Sequence, residues 1–278
     1  MNFEHPSGIS AECIAASTYG GRNNIYTLVT RSPKYIDAEL RTHRMLSQNS
    51  SSSRAIPLKR MIEQVEQDPF VPSDWRLNQK GMQGYDVIED DETICKLRQA
   101  WIEAMQAAVF YAKEIDFVHK QHVNRLLEPF AWQWKVITAT EWRHFFDLRL
   151  AENAQPEIQI LAHQMCAAIR DAAPRYIDDG WHMPFVGQDE IERYSVDENL
   201  MVSAARCARI SYANHGTGRV DRDADIKLAN SLIREGHMTP FEHQARRLDV
   251  GQESHATRDD GLWSGNFRGW LQHRKTIE

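Results

Sequence analysis

Apolar positions recur along this chain in two rhythms. Residues 9–17 (I-S-A-E-C-I-A-A-S) and 25–31 (I-Y-T-L-V-T-R) are short, apolar and partly β-branched, which predicts two strands. Between them, residues 19–24 carry the Gly20-Gly21 pair and read as a turn. Residues 33–46 place Tyr35, Ile36, Leu40 and Leu46 at spacings compatible with a helix, which Pro33 is suited to open. Apolar spacing resumes at Ile56, Leu58, Met61, Ile62 and Val65. Residues 67–84 contain Pro69, Pro72, Gly81 and Gly84 and read as a long irregular loop. Next, Ile94, Leu97, Trp101, Met105, Ala108, Val109 and Ala112 form one stripe, predicting a helix from Glu92 to about Val118. Asp90, Asp91 and Glu92 put negative charge where a helix N-terminus favours it.

Residues 119–129 read as the connection to the next element, and residues 130–137 (F-A-W-Q-W-K-V-I) read as buried. Thr138 and Glu141 have capping-box spacing, so a helix is expected to start at Thr138 and run to near Arg149. On it Thr140 and His144 would share one face, and Arg143 and Asp147 another. Pro156 suits the first turn of a further helix whose core stripe is Ile158, Leu161, Met165 and Ile169. Residues 181–199 are acidic and read as irregular, which suggests a boundary between sections 1–195 and 196–278, packed as one globular unit. The second section opens on the small-residue-rich L-M-V-S-A-A-R-C-A-R-I-S-Y at 200–212, followed by a turn at Gly216 and Gly218. Residues 223–234 predict a helix with Ile226, Ala229, Leu232 and Ile233 inward and Gly236 as its C-cap. Residues 252–265 read as a mobile polar loop, and 266–275 as a short aromatic and basic close.

Composition narrows the picture. The chain has 278 residues, 42% of them hydrophobic, and a formal charge of −6. That is long enough for one large domain or two small ones with a real core. Mild acidity argues against an electrostatic binder of nucleic acid, so any nucleotide site must be a local basic cluster. Cys13, Cys95, Cys166 and Cys207 lack CxxC or metal-ligand spacing and read as reduced thiols in a reducing compartment. No apolar run approaches membrane length and no signal peptide is visible, so a soluble, cytoplasmic protein is expected.

The densest candidate chemistry lies at residues 41–54, R-T-H-R-M-L-S-Q-N-S-S-S-S-R. Fixed cations and short hydroxyl donors suit a phosphate or nucleotide. A solvated serine-rich linker has the same composition. Ordered elements predicted on both sides favour a site. His119 and His122 resemble a metal pair but lack a carboxylate or thiol partner, and no metal site is expected. Arg125 reads either as a surface cation or, beside Leu126 and Leu127, as pointing into a cleft. Arg149 reads either as a charge complementing a helix C-terminus or as a functional cation. H-M-T-P-F-E-H at residues 237–243 is dense in ligand-binding groups without being a metal signature.

Taken together, these stretches resemble the flavin-dependent thymidylate synthases. The family's R-H-R signature appears as Thr42, His43 and Arg44, then Ser47, Asn49, Ser52 and Arg54. Its H-x-T-P-F-E-H appears at 237–243, and its A-A-R element at 204–212. Its N-x-R-x-x-x-H-F-x-x-x-R helix matches 138–149, continued by Ala154, Gln155 and Glu157, and its R-x-x-L-P matches 125–129. The resemblance implies an α/β (α+β) fold with a central, mostly antiparallel sheet wrapped by helices and a helical section over 92–173. It implies FAD as cofactor, with NADPH and methylenetetrahydrofolate as co-substrates, transferring a one-carbon unit to C5 of dUMP in a homotetramer with shared sites. No cysteine nucleophile is needed in that chemistry. By the same resemblance Arg149 is the catalytic cation that stabilises the pyrimidine ring ionised at N3. Glu39, Ser52, Ser53, Arg54 and Arg125 fall at nucleotide-contact positions. His43, Arg44, Asn49, Thr138, Thr140, His144 and Thr239 fall at flavin-contact positions.

Departures accompany the match. Thr42 replaces the first arginine of R-H-R, Glu39 replaces a glutamine, Ser50 replaces a glutamate, and Thr138 and Thr140 replace the Asn and Arg of N-x-R. The A-A-R and T-P-F-E-H elements follow the R-H-R motif instead of preceding it. W-L-Q-H-R at 270–274 looks like a degraded second copy of the R-H-R helix, and A-E-C-I-A-A-S near the start faintly echoes the A-A-R element, which reads as a permuted or partly duplicated chain. These changes point to three readings: the dUMP enzyme, a relative that methylates or hydroxymethylates another pyrimidine nucleotide such as dCMP, or a non-catalytic nucleotide or flavin binder.

Overall fold

The computed structural model describes residues 5–20, 23–81, 84–211, 221–248 and 266–278. The expectations at Gly216, Gly218, Tyr212 and residues 252–265 lie outside them. Two long strands open the chain, β1 (Ser10–Tyr19) and β2 (Asn23–Pro33), paired antiparallel with a bulge between Cys13 and Ala15. A one-turn helix α1 (Asp37–Leu40) leads to the short strand β3 (Ser47–Ser50). Three helices follow, α2 (Leu58–Gln67), α3 (Asp91–Glu114) and α4 (Lys120–Leu127), then strand β4 (Trp132–Ala139). Helices α5 (Arg143–Arg149) and α6 (Pro156–Asp171) precede strand β5 (Arg175–Tyr176). The main sheet has the order β3-β4-β2-β1-β5, antiparallel throughout except for the β1–β5 pair. The mixed α/β class and the mostly antiparallel sheet are therefore as anticipated.

Pairing of β2 with β4 sets what each face buries. Leu28 lies opposite Ile137 and Val29 opposite Val136. Because successive side chains alternate across a strand, these two pairs face opposite ways. Leu28 and Ile137 pack with Phe145 of α5 and with Ile158, Leu161, Ala162 and Met165 of α6. The α6 stripe is thus the predicted one. Val29 and Val136 pack against Cys207 and Ile210. A separate core joins Met61, Ile62 and Val65 of α2 to Met105, Val109 and Ala112 of α3 and Val123 and Leu127 of α4. Asp90 caps α3 by accepting from the Thr93 amide.

The remaining chain covers the second face. Strand β6 (Trp181–His182) joins a three-stranded sheet with β7 (Ala245–Arg247) and β8 (Trp270–Gln272), in the order β6-β7-β8. Between them run α7 (Gln188–Arg193), α8 (Val196–Ala208) and α9 (Arg222–Arg234), and α10 (Arg274–Ile277) ends the chain. Gly236 follows α9 with φ +74°, the left-handed conformation its C-cap role requires. Among the described residues no helix is long and apolar enough to cross a membrane.

A buried polar chain stitches the small sheet to the large one. Ser17 Oγ bonds His182 Nδ1 at 2.9 Å, His182 Nε2 bonds Thr27 at 2.8 Å, Thr27 bonds Thr138 at 2.7 Å, and Thr138 bonds His243 Nδ1 at 2.9 Å. Burial lowers both imidazoles from 6.5 to about 3, so they are neutral near pH 7.

Four local expectations need correction. Residues 33–46 do not form one helix: Pro33 is the last residue of β2, opposite Trp132, and only a 3-10 turn (Lys34–Ile36) and α1 follow. Residues 119–129 are not a plain connection but contain α4, whose first turn His119 caps through its side chain. Thr138 caps no helix. Strands on both sides pair with it, Thr27 on one and Ser47 on the other, and α5 starts only at Arg143 without a side-chain cap. Residues 181–199 are not irregular; they hold β6, α7 and the start of α8.

Two measurements test this architecture. Leu161→Ala in the fully buried α6 stripe should cost about 2–5 kcal/mol in urea unfolding, and a loss under 1 kcal/mol would remove it from the core. Because His182 and His243 stay neutral when folded but protonate near pH 6.5 when unfolded, stability should be full above that pH and fall as pH drops towards 3. The slope should approach about 1.4 kcal/mol per pH unit for each histidine. Urea midpoints that do not move between pH 7.5 and 5 would contradict this.

Candidate functional site

Each candidate residue has a position set by the elements above. Helix α1 carries Glu39, the turn after it carries His43, and the last turn of α5 carries Arg149. A buried lysine holds α1 in place: Lys135 of β4 donates to Asp37 and, at 2.9 Å, to Gln48. Arg41 extends this cluster, donating to Asp37 at 2.8 Å and to Ser50 at 2.9 Å. Burial lowers Lys135 to about 8, opposed by the Asp37 carboxylate. Burial alone would raise Asp37, but Lys135 and Arg41 outweigh it and hold its pKa down.

Three predicted site residues meet over this support. Arg149 Nε donates to His43 Nε2 at 2.8 Å, and its NH1 donates to Glu39 Oε2 at 3.2 Å. His43 is buried, and its ring meets Phe145 edge-on, with centroids 4.9 Å apart. Burial lowers His43 to about 4, helped by the charges of Arg149 and His144. A neutral ring that accepts at Nε2 carries its proton on Nδ1. The His144 ring lies 6.0 Å from that of His43, on the exposed side of α5. Glu39, His43, His144 and Arg149 thus form one cluster.

A second group forms around Glu128. Its carboxylate accepts from Ser53 Oγ at 2.5 Å and from Arg125 NH1 at 2.8 and 3.1 Å. Asn124 holds the same turn by donating to the Ser53 carbonyl at 2.6 Å. The Arg125 side chain is 55% exposed, so it is a surface cation tied to Glu128 rather than one pointing into an apolar cleft.

Other candidates lie apart from one another in role. Asn49 donates to the Cys207 carbonyl at 2.7 Å, tying β3 to the end of α8. Thr138 is fully buried, its hydroxyl shared between Thr27 and His243. Thr140 accepts from the Arg268 amide at 3.0 Å. Arg44, Ser52, Arg54 and Thr239 are exposed, with Thr239 opening a 3-10 turn (Thr239–Glu242) that packs against β3. Arg44 and Arg54 are solvent-facing cations of the type that holds a dinucleotide's phosphates, and the His144 ring edge and Thr239 hydroxyl suit its polar contacts. These groups fit a flavin dinucleotide in kind, whereas Thr138 has no exposed surface to offer one.

Burial raises Cys13 to about 11 and raises Cys207 further, which makes both poor nucleophiles near neutral pH. Two clefts, of about 260 and 710 Å³, flank the Arg31–Asp68 ion pair and are lined by Trp132, not by Glu39, His43 or Arg149.

Sequence reasoning missed Lys135, His182 and the ion network around Arg206. Lysine in the middle of F-A-W-Q-W-K-V-I was the available signal, since a cation in an otherwise apolar strand needs a partner. Arg206, the arginine of the A-A-R element, donates to Glu190 at 2.6 and 2.7 Å, to Asp225 at 3.2 Å and to the Phe185 carbonyl. It braces α7, α8 and α9.

Comparison with known proteins adds three findings. The family model described as Thy1, thymidylate synthase complementing protein, matches residues 24–175. The match spans Glu39 to Arg149 and stops before the A-A-R and T-P-F-E-H elements. A solved structure of the UMP/dUMP methylase PolB from Streptomyces cacaoi, bound with 5-Br UMP, is similar with TM-score 0.50 and 18% identity, covering 61% of this chain and 92% of that one. The same methylase bound with 5-Br dUMP gives TM-score 0.48 and 19% identity, covering 59% of this chain and 90% of that one. The first of these two likenesses speaks for the fold alone. No curated protein matches the chain.

Arg206→Ala should lower stability by about 3 kcal/mol, because it strips a buried ion network of its central cation. Urea unfolding measures this, and a variant as stable as the parent would show that the network contributes nothing.

Proposed function

The chain belongs to the flavin-dependent thymidylate synthase family, and on that premise we propose that it transfers a one-carbon unit to C5 of a pyrimidine nucleoside monophosphate. The observation that carries this reading is the convergence of Arg149 and His43, 106 residues apart in the chain, at a hydrogen bond of 2.8 Å. By resemblance Arg149 falls at the position that meets the pyrimidine ring and His43 at a flavin-contact position. In this reading methylenetetrahydrofolate donates the carbon, and a bound FAD, recharged by NADPH, supplies the two electrons that make it a methyl group. Arg44, Asn49, His144 and Thr239 would hold that cofactor.

The chain's own residues have defined tasks. Arg149 sets a fixed cation against the pyrimidine ring, where charge develops as C5 becomes nucleophilic. His43 stays neutral, accepts from Arg149 Nε and thereby fixes the plane of the guanidinium. Phe145 packs edge-on against the His43 ring. Ser52, Arg54 and Arg125 offer a hydroxyl and cations for the 5′-phosphate, with Glu128 holding Arg125 in place, while Ser53 is buried and gives its hydroxyl to Glu128. No thiol takes part. The working form in this reading is a homotetramer, as the family resemblance implies. dUMP is the substrate the family suggests, and in this chain Glu39, one of its departures from the family, contacts Arg149.

Purified protein supplied with FAD, NADPH, methylenetetrahydrofolate and a panel of dUMP, UMP, dCMP and CMP should yield one C5-alkylated nucleotide by mass spectrometry. Arg149→Ala should lower its turnover at least ~100-fold while the flavin spectrum persists. Absence of product from every nucleotide, or unchanged turnover in the variant, would overturn the reading.

A further inference from the structure

Glu39 stands where the resembled family has a glutamine, and the change alters both the charge and the hydrogen-bond pattern of the pair it forms. Its carboxylate touches Arg149 at 3.2 Å, with side chains 40% and 20% exposed. Arg149 Nε is taken by His43 and NH1 by Glu39. Among the described residues nothing bonds Arg149 NH2 or Glu39 Oε1. The unbonded edge of the pair thus holds one donor, Arg149 NH2, and one acceptor, Glu39 Oε1, with no net charge.

We propose that this edge reads cytosine, so that the nucleotide bound against Arg149 is a cytidine monophosphate, ribo or deoxy, in preference to its uridine counterpart. The proposal rests on the function proposed above, in which a pyrimidine ring docks on Arg149. Uracil enters such chemistry by becoming anionic at N3, and an anion there needs an unopposed cation. A carboxylate in contact with the guanidinium cancels much of that attraction and repels the anionic ring. Cytosine has no N3 proton to lose, so towards it Arg149 acts as a hydrogen-bond donor and not as the counter-ion of an anionic ring. Its edge is a neutral acceptor, N3, beside a donor, the N4 amine. Arg149 NH2 donates to N3, and Glu39 Oε1 accepts from N4, the pairing by which carboxylates read cytosine elsewhere. A glutamine at residue 39 would instead leave the cation of Arg149 unopposed and offer O4 of uracil an amide donor.

Equilibrium binding of dCMP, CMP, dUMP and UMP to the FAD-supplemented protein tests this, with Glu39→Gln measured beside it. Glu39→Gln keeps the size of a half-buried side chain on α1, so the variant should fold. The parent should bind dCMP or CMP at least ~10-fold more tightly than the matching uracil nucleotide, since a mismatched edge leaves a partly buried group unpaired. Glu39→Gln should erase or reverse that preference. Tighter or equal binding of the uracil nucleotides by the parent overturns the inference and leaves the proposed function standing. A preference for cytosine that survives Glu39→Gln overturns the role of Glu39. Failure to bind any of the four overturns both the inference and the function it rests on.

Discussion

The register of β2 against β4 is the constraint from which the rest of this structure follows. Leu28 opposite Ile137 and Val29 opposite Val136 commit both faces of the sheet to burial. A slip of one residue would turn each set towards the wrong layer, so the pairing has one stable solution. Every element of the candidate site is then hung from β4. β3 pairs along its outer edge, α5 follows its end, and Lys135 reaches from its middle to hold α1. The distance between Glu39, His43 and Arg149 is thus a consequence of strand registry.

Polar groups inside this fold are kept by pairing or by giving up charge. His182 and His243 are neutral links in a hydrogen-bond chain that crosses from one sheet to the other. Lys135 keeps a partner carboxylate within reach, and Arg206 is ringed by carboxylates and a carbonyl. Isolated charges in such places would cost several kcal/mol each. At Arg149 the balance has a chemical meaning. Its cation has a carboxylate on one side and a neutral imidazole on the other, so its charge is largely balanced within the pair.

The order of motifs along the chain matters less than where they land. The A-A-R and T-P-F-E-H elements come after residue 200, yet Asn49 of β3 bonds the carbonyl of Cys207, and the turn Thr239–Glu242 packs against the same strand. Gln272 bonds Ser47 and the Glu242 carbonyl, closing the circuit. These links cross the section boundary suggested near residue 195.

The sequence by itself determined the elements whose signal is periodic burial. The α6 stripe of Ile158, Leu161 and Met165, the long helix capped by Asp90 and the two opening strands were legible, because local spacing and core-facing position coincide there. The motif residues Glu39, His43, His144 and Arg149 were legible as candidates, though nothing local states that they touch. Tertiary structure decided the rest. Thr138 has the spacing of a helix cap, but strands on both sides claim its backbone and a buried histidine claims its hydroxyl. Pro33 could open a helix, but pairing with Trp132 holds it extended. Arg206 became a brace because Glu190 and Asp225 arrive from other helices. In each case a partner distant in sequence offered a stronger bond than the neighbours did, and such a partner leaves no mark on local spacing.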